Sequence, residues 1–208
     1  MNRDDAPRSM RDAQVRARRR TMLDLPHVAP LSAFAAQLRQ RGSGEVPEFD
    51  PLDGGIDARV LFLFEKPGPM TARRGKRAGS GFISRNNNDA TAEATFKFMQ
   101  QASIPRKLTA SWNVIPWWNG TVKVTGDELR EGAGCVADLI CLLPKLRAVV
   151  MVGRKAAAAQ PYLKTIGLAL LTSDHPSPRV KARWRDRWEA IPSQWAKVHT
   201  YLDGGEAT

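Results

Sequence analysis

The sequence predicts a three-layer α/β/α fold around a central, mainly parallel four-stranded sheet. Two observations predict it. Short apolar runs of strand length recur along the chain, and segments with helical spacing of apolar residues lie between them. Strands that alternate with helices form a parallel sheet with helices on both faces. The length of 208 residues is sufficient for one such domain with a sizeable core.

The elements follow in order along the chain. Residues 1–22 carry seven arginines and are predicted to form a basic N-terminal arm or helix, and residues 23–208 a single domain. The segment 65–88 is rich in Gly and Arg with little periodicity, which predicts a functional loop. Apolar runs predict strands over 59–64, 108–115, 148–152 and 168–172. Helical spacing or capping residues predict helices over 31–41, 89–102, 125–142 (or from 127), 153–166 and 179–200.

Charge is the strongest compositional signal. Lys and Arg number 32 against 21 acidic residues, a formal net charge of +11. This excess favours a polyanionic partner, most commonly nucleic acid, although a merely basic surface is the alternative. The positive residues cluster beside two candidate site loops, where phosphates of a bound strand would pass. The predicted nucleic-acid contacts are Arg73, Arg74, Ser177, Arg179 and Lys181.

Several classes of protein are disfavoured. No apolar run approaches the length of a membrane span, and Met1–Arg20 lacks the apolar core of a secretory signal. Cys135 and Cys141 are six residues apart in one predicted helix, which is poor geometry for a disulfide and too few ligands for zinc or iron–sulfur. We therefore expect a cytoplasmic monomer with no metal, no other cofactor and no membrane partner.

Three predicted strands run into segments that can carry chemistry. The first ends in Phe64-Glu65-Lys66-Pro67, the second in Trp112-Asn113, and the last runs into His175-Pro176-Ser177-Pro178. Proline fixes its own φ and restricts the residue before it, so the last loop holds His175 at little further entropic cost. Ligands of open α/β sheets bind beyond the carboxyl ends of the strands, which predicts one shared site.

In order and rough spacing over residues 59–190, these segments resemble the uracil-DNA glycosylase superfamily. The His-Pro-Ser-Pro run is the most specific of them. The resemblance implies a DNA glycosylase that hydrolyses the N-glycosidic bond of a flipped aberrant or modified pyrimidine, uracil by default, and leaves an abasic site. Its partner would be single- or double-stranded DNA.

The resemblance also implies roles for three residues. His175 would donate a hydrogen bond to the departing base, and Asn113 would pair with the base edge. Phe82 falls where the family places an aromatic ring that stacks on the flipped base. The alternatives are a core contact for Phe82 and a strand-end cap for Asn113.

The chain departs from the family at its first motif. Lys66 stands where many members have Asp or Asn, so we expect Glu65 to be the carboxylate that positions water or steadies the cationic sugar. Asp89 is the reserve candidate, with an N-cap as the alternative. Lys66 and Trp117 are expected to contact the base or, for Lys66, a phosphate.

These departures leave two alternatives to a uracil glycosylase. One is a glycosylase for a bulky modified cytosine in phage DNA, which would serve anti-phage defence. The other is a non-catalytic DNA-binding module, favoured by the lysine at position 66 because a charged lysine is a poor activator of water.

Overall fold

The central sheet of the described residues has four strands, all parallel. The computed structural model describes residues 3–72, 79–164 and 167–202. The strands of this sheet are β2 (Val60–Phe64), β4 (Thr109–Asn113), β5 (Ala148–Val152) and β6 (Ala169–Ser173), and their order across the sheet is β4-β2-β5-β6. All four lie within two residues of the predicted strands, and the predicted α/β fold with a parallel four-stranded sheet is confirmed.

Ten α-helices lie within the part of the chain that the structure describes. They are α1 (Ala13–Thr21), α2 (Ala29–Gln40), α3 (Ala90–Gln101), α4 (Gly126–Cys141), α5 (Arg154–Ala157), α6 (Gln160–Leu163), α7 (Pro178–Arg183), α8 (Arg185–Glu189), α9 (Ile191–Ala196) and α10 (His199–Leu202). In the described residues, none of these helices is long and apolar enough to span a membrane.

The sheet is buried on both faces because its side chains alternate between two apolar layers. Leu61 and Leu63 point into the layer that includes residues of α2 and α4. Val60 and Phe62 point the other way, into the layer that includes residues of α3 and α9. This burial on both faces explains why β2 and β5 read as unbroken apolar runs.

Two predicted long helices are each interrupted. The predicted helix over 153–166 is divided into α5 and α6, with Pro161 in the first turn of α6. The predicted helix over 179–200 is divided into α7 to α10. Trp184 breaks it first because its backbone leaves the helical region, at φ −142° and ψ 69°. Pro192 then lies in the first turn of α9, where its missing N–H costs no helical hydrogen bond.

A second, two-stranded sheet was not predicted. Strand β1 (Glu48–Phe49) pairs in parallel with β3 (Phe82–Ile83). Two residues are too few for a periodic pattern, so the sequence carries no signal for these strands. The Phe82 ring packs with Met10 and Val15 of the N-terminal segment.

Buried charges attach the same N-terminal segment to the domain. Arg19 Nε lies 3.1 Å from Asp50 Oδ1, and Arg106 binds both Asp50 (2.7 Å) and Asp53 (2.8 Å). We call Arg19, Asp50, Asp53 and Arg106 the buried ionic cluster. Burial acts to raise the pKa of Asp50, but the positive charges of Arg106 and Arg19 outweigh it and hold that pKa below its usual value.

Candidate active site

A cavity of about 440 Å³ lies where the sheet strands end. Its wall combines residues that follow β2, residues of β4, and the loop after β6. The residues that matter for chemistry are Phe64, Glu65, Lys66, Ser111, Asn113 and His175. Parallel strands bring their carboxyl ends to one edge of a sheet, so residues distant in sequence meet there.

Each sheet strand contributes a polar side chain at this edge. Asn113 ends β4, Glu65 follows β2, Lys155 lies just beyond β5, and His175 just beyond β6. The backbone carbonyl of Glu65 accepts a hydrogen bond from Ile115 N at 3.0 Å, which holds the ends of β2 and β4 together. The strand order therefore places these side chains in the sequence Asn, Glu, Lys, His across the edge.

The loop that carries His175 is held by the final helices. Trp195 Nε1 donates to Ser173 Oγ at 2.8 Å, and the backbone N–H of Asp174 donates to Gln194 Oε1 at 2.7 Å. Arg187 pairs with the Asp174 carboxylate at 2.6 Å. Since both residues before His175 are fixed in this way, its imidazole has a defined position.

His175 packs closely against two neighbours. Its ring meets Phe64 edge to face, with 6.0 Å between ring centroids. A Cβ at Gly153, where φ is +88°, would lie 2.9 Å from His175 Cβ, so that position requires glycine. Burial, followed by the positive charge of Lys155, lowers the pKa of His175 to about 4. The imidazole is therefore neutral at pH 7 and offers one N–H donor.

Glu65 lines the cavity and pairs with Lys155, whose Nζ lies 2.5 Å from Oε1. The lysine side chain is more than half exposed. Ion pairs with such exposed partners contribute at most about 1 kcal/mol. A ligand or a water molecule can therefore compete for the carboxylate at small cost.

Lys66 also lines the cavity, but its ammonium is bound elsewhere. Nζ lies 2.7 Å from Glu128 Oε1 and 3.3 Å from the carbonyl of Lys123. Partial burial acts to raise the pKa of Glu128, but the hydrogen bond from Lys66 lowers it below its usual value. Glu128 also forms a capping box with Thr125 at the start of α4. Lys66 thus links the cavity wall to α4. In this arrangement its ammonium group is not available to attack a sugar.

Asn113 is 4% exposed, and its side-chain oxygen has no hydrogen-bond partner among the residues that the structure describes. The residue ends β4 on the face that adjoins Phe64, whereas Trp112 points into the opposite apolar layer. Buried polar atoms without a partner are rare in folded proteins and need an explanation. An acceptor oxygen in a cavity wall is suited to bind a donor on a ligand.

Three other predicted site residues have different surroundings. Phe82 and Trp117 are buried and do not line the cavity; Phe82 packs on the N-terminal segment, and Trp117 belongs to the apolar layer with α2 and α4. Asp89 does line the cavity, and its side chain caps α3 by accepting from Ala92 N at 2.9 Å.

Three of the predicted DNA contacts, Ser177, Arg179 and Lys181, follow His175 at the start of α7. Ser177 caps α7 by accepting from Val180 N at 3.4 Å, and Arg179 is exposed. Lys181 is exposed too, with its Nζ 4.7 Å from the centre of the Trp188 ring. Arg73 and Arg74 lie outside the residues that the structure describes.

Sequence reasoning missed several residues of this site. Phe64 is the aromatic ring in the cavity wall, and Lys155 pairs with Glu65. Ser111 could have been found, because Ser and Asn alternate with Ala and Trp along β4, which is a period-2 pattern. Arg85 and Asn87 follow β3, and no pattern indicates that their loop turns inward.

Comparison with solved structures gives a weak likeness. No protein-family model and no curated protein matches the chain. A solution NMR structure from Methanosarcina acetivorans, described as a "putative Uracil DNA glycosylase", is 18% identical, with a TM-score of 0.44. The match covers 69% of this chain and 92% of that one. At this score the likeness carries no conclusion about function.

Proposed function

We propose that this protein is a DNA glycosylase that accepts a flipped base in the cavity and hydrolyses its N-glycosidic bond. The observation that carries the proposal is the unpartnered Asn113 oxygen, buried in the same cavity wall as a neutral imidazole and a carboxylate. The resemblance of the three loop segments to uracil-DNA glycosylases assigns these groups their roles.

Base recognition depends on Asn113. Its oxygen accepts a hydrogen bond from an N–H on the base edge. The described part of the protein supplies no donor to this oxygen, so the base can provide one. Phe64 contributes an aromatic surface beside it. A volume of about 440 Å³ is within the range of small-molecule sites and suits a nucleoside.

Bond cleavage uses His175 and Glu65. As the C1′–N bond breaks, its electron pair leaves with the base, and the N–H of His175 stabilises the negative charge on the base oxygen. The sugar becomes cationic, and the Glu65 carboxylate steadies it and orients the water whose oxygen bonds to C1′. The proton that the water loses passes to solvent or to the departed base.

Binding of the DNA strand depends on the basic surface beside the His175 loop. Arg179 and Lys181 are exposed there, and Lys181 Nζ lies 4.7 Å from the centre of the Trp188 ring. Exposed Arg and Lys side chains neutralise backbone phosphates irrespective of the DNA sequence. They would fix the strand while one base enters the cavity.

A non-catalytic DNA-binding module is the second candidate. Two observations favour it: Lys66 occupies the position where the family often has Asp or Asn, and the Glu65 carboxylate is already paired with Lys155. Such a protein would bind a flipped base without breaking its bond.

The decisive experiment measures abasic sites by alkaline strand cleavage after incubation with single- and double-stranded DNA. The panel contains uracil, hydroxymethylcytosine, glucosylated phage DNA and unmodified controls. Wild type is run beside Glu65→Gln, Asn113→Ala and His175→Ala, with Lys145→Ala, an exposed residue before β5 that pairs with Asp57, as the matched control. Cleavage by wild type and the control but not by the three variants supports the glycosylase. Salt-sensitive binding without cleavage would overturn it in favour of the binding module.

A further inference from the structure

Trp184 is the exposed tryptophan of the final helices. It joins α7 to α8 at the point where the backbone leaves the helical region. The residue is 43% exposed, whereas Trp195 is fully buried and Trp188 packs against Phe98, with 4.6 Å between the ring centroids. Tryptophan is highly buried on average in folded proteins. The surroundings of Trp184 indicate what its open ring can bind.

The surface around Trp184 is strongly basic. Residues 177–189 hold five cationic side chains and two acidic ones. Arg185 pairs with Glu189 at 2.8 Å, and Arg187 pairs with Asp174 at 2.6 Å. The other three cations are exposed and have no ion pair within the described part of the chain: Arg179, Lys181 and Arg183. Uncompensated positive charge around an aromatic ring favours a polyanionic partner.

Two arginines contact the ring, and one of them joins it to the loop that carries His175. The Cζ atoms of Arg183 and Arg187 lie 4.9 Å and 5.7 Å from the centre of the Trp184 ring. Arg187 is also fixed by Asp174, the residue before His175. Arg183 has no such anchor, so its guanidinium can move to a phosphate while Arg187 stays beside the ring.

The spacing allows one DNA strand to reach both the cavity and Trp184. The six residues of α7 separate Trp184 from the His175 loop. Six helical residues extend about 9 Å, and stacked nucleotides rise about 3.4 Å each. A base on Trp184 would therefore lie about three nucleotides from the base in the cavity.

We propose that Trp184 is a stacking platform for an unpaired base of a single DNA strand, whose phosphates contact the three exposed cations. The inference takes its partner, DNA, from the proposed function and adds a second base contact outside the cavity. Sites for single-stranded nucleic acid combine aromatic rings, on which bases stack, with positive charge that follows the backbone. In a duplex the faces of each internal base are covered by its neighbours, so the ring can accept only an unpaired or terminal base.

The test separates the bases of a strand from its phosphates. One short strand contains only thymidine, and the other has the same length and charge but carries no bases, because every nucleotide is a tetrahydrofuran analogue. Binding is measured by fluorescence anisotropy. Trp184→Ala should weaken binding to the thymidine strand about tenfold and binding to the base-free strand less than about twofold. The base-free strand also reports whether the variant keeps its basic surface.

Two further variants sharpen the result. Trp184→Phe keeps an aromatic ring, so its binding to the thymidine strand should weaken by no more than about threefold. Tyr162→Ala is the matched control, because Tyr162 is an exposed aromatic residue of α6, at 46%. This variant should bind both strands as wild type does. On a blunt duplex, the loss in Trp184→Ala should be less than about threefold.

Several outcomes would overturn the platform. Equal losses on the thymidine and base-free strands would show that Trp184 positions the cations and does not stack on a base. An equal loss on single strand and duplex, or no loss on any DNA, would reject base stacking. Failure of wild type to bind either strand would do the same. Tighter binding of RNA than of DNA of the same sequence would reject DNA as the partner.

The platform and the glycosylase can fail separately. Abasic sites in DNA, with no effect of Trp184→Ala on binding to the thymidine strand, would keep the glycosylase and reject the platform. A base-dependent loss of binding in Trp184→Ala, without abasic sites on any DNA, would keep the platform and reject the glycosylase.

Discussion

Two buried polar regions meet at Arg85, and they differ in how their polar groups are satisfied. In the buried ionic cluster, Arg19 and Arg106 face Asp50 and Asp53, and each charge has an opposite charge beside it. In the residues of the cavity wall, Arg85 Nε, Asn87 Oδ1, Ser111 Oγ and Asn113 Oδ1 have no hydrogen-bond partner within the described part of the chain. Arg85 belongs to both, because its Nη2 lies near Asp53 while its Nε is left over.

The difference separates structure from function. The charges of the cluster are compensated within the chain, so its role is to fix the N-terminal segment and the loop before β2 against the segment before β4. Buried atoms without a hydrogen-bond partner also occur outside the cavity wall, at Arg19 Nε, Trp112 Nε1 and Trp188 Nε1. What distinguishes the cavity wall is that four residues with such atoms line one cavity.

The largest effect is expected in the cluster. Asp50→Asn removes a fully buried carboxylate and leaves Arg19 and Arg106 without full compensation. We expect the free energy of unfolding to fall by about 3–5 kcal/mol in urea denaturation. Asp57→Asn is the control, since Asp57 pairs with Lys145 on the surface, with both side chains about half exposed. The unfolding free energy of Asp57→Asn should fall by no more than about 1 kcal/mol. Equal losses in the two variants would contradict a structural role for the cluster.

The second effect concerns the cavity wall. Asn113→Ala removes the unpartnered oxygen and should lower the rate of abasic-site formation by about 10- to 100-fold, the value of a buried hydrogen bond to substrate. The unfolding free energy should change by no more than about 1 kcal/mol, because that oxygen makes no bond within the chain. A large loss of unfolding free energy with unchanged abasic-site formation would show that Asn113 has a structural role, like the buried ionic cluster, and not a role in the site.

The pH dependence of stability distinguishes the regions again. Folding keeps Asp50 charged by lowering its pKa, but keeps His175 neutral by lowering its pKa to about 4. An unfolded histidine takes up its proton near pH 6.5, so between pH 6.5 and 4 the unfolded state binds more protons and stability declines with falling pH. The contribution of Asp50 is lost only at lower pH. In urea denaturation, the free energy of unfolding of His175→Gln should fall less between pH 6.5 and 4 than that of wild type. An equal fall in the two proteins would contradict a buried neutral imidazole.

The smallest effect is expected at Ser111. Ser111→Ala deletes a buried hydroxyl without a partner, so the unfolding free energy should change by less than about 0.5 kcal/mol or rise slightly. Its neighbour on the same face provides the contrast. Thr109→Val deletes a hydroxyl that accepts from Arg85 and donates to the carbonyl of Arg106, and should cost about 1–3 kcal/mol. A loss at Ser111 as large as that at Thr109 would show that its hydroxyl is satisfied within the fold.

Much of the fold could be predicted from the sequence. The four strands of the sheet and the helices α2, α3 and α4 carry strong periodic or apolar patterns, and Thr125 and Asp89 are visible as caps. The two-residue strands β1 and β3 could not be predicted, and neither could the break after α7, whereas Pro161 is a visible signal for the break after α5. A two-residue pairing has no period, and the break at Trp184 depends on packing rather than on a proline or glycine.

Of the candidate site, the sequence by itself determined which strand ends carry polar side chains. Glu65, Asn113 and His175 each follow an apolar run, and parallel strands end on the same edge for reasons of topology alone. The tertiary structure decided which residues share the cavity. It placed Phe82 and Trp117 in apolar layers, joined Lys66 to Glu128, and turned Arg85 and Asn87 inward from an irregular loop. Strand patterns are local and survive in the sequence, whereas the partners of a loop side chain depend on contacts between residues far apart in the chain.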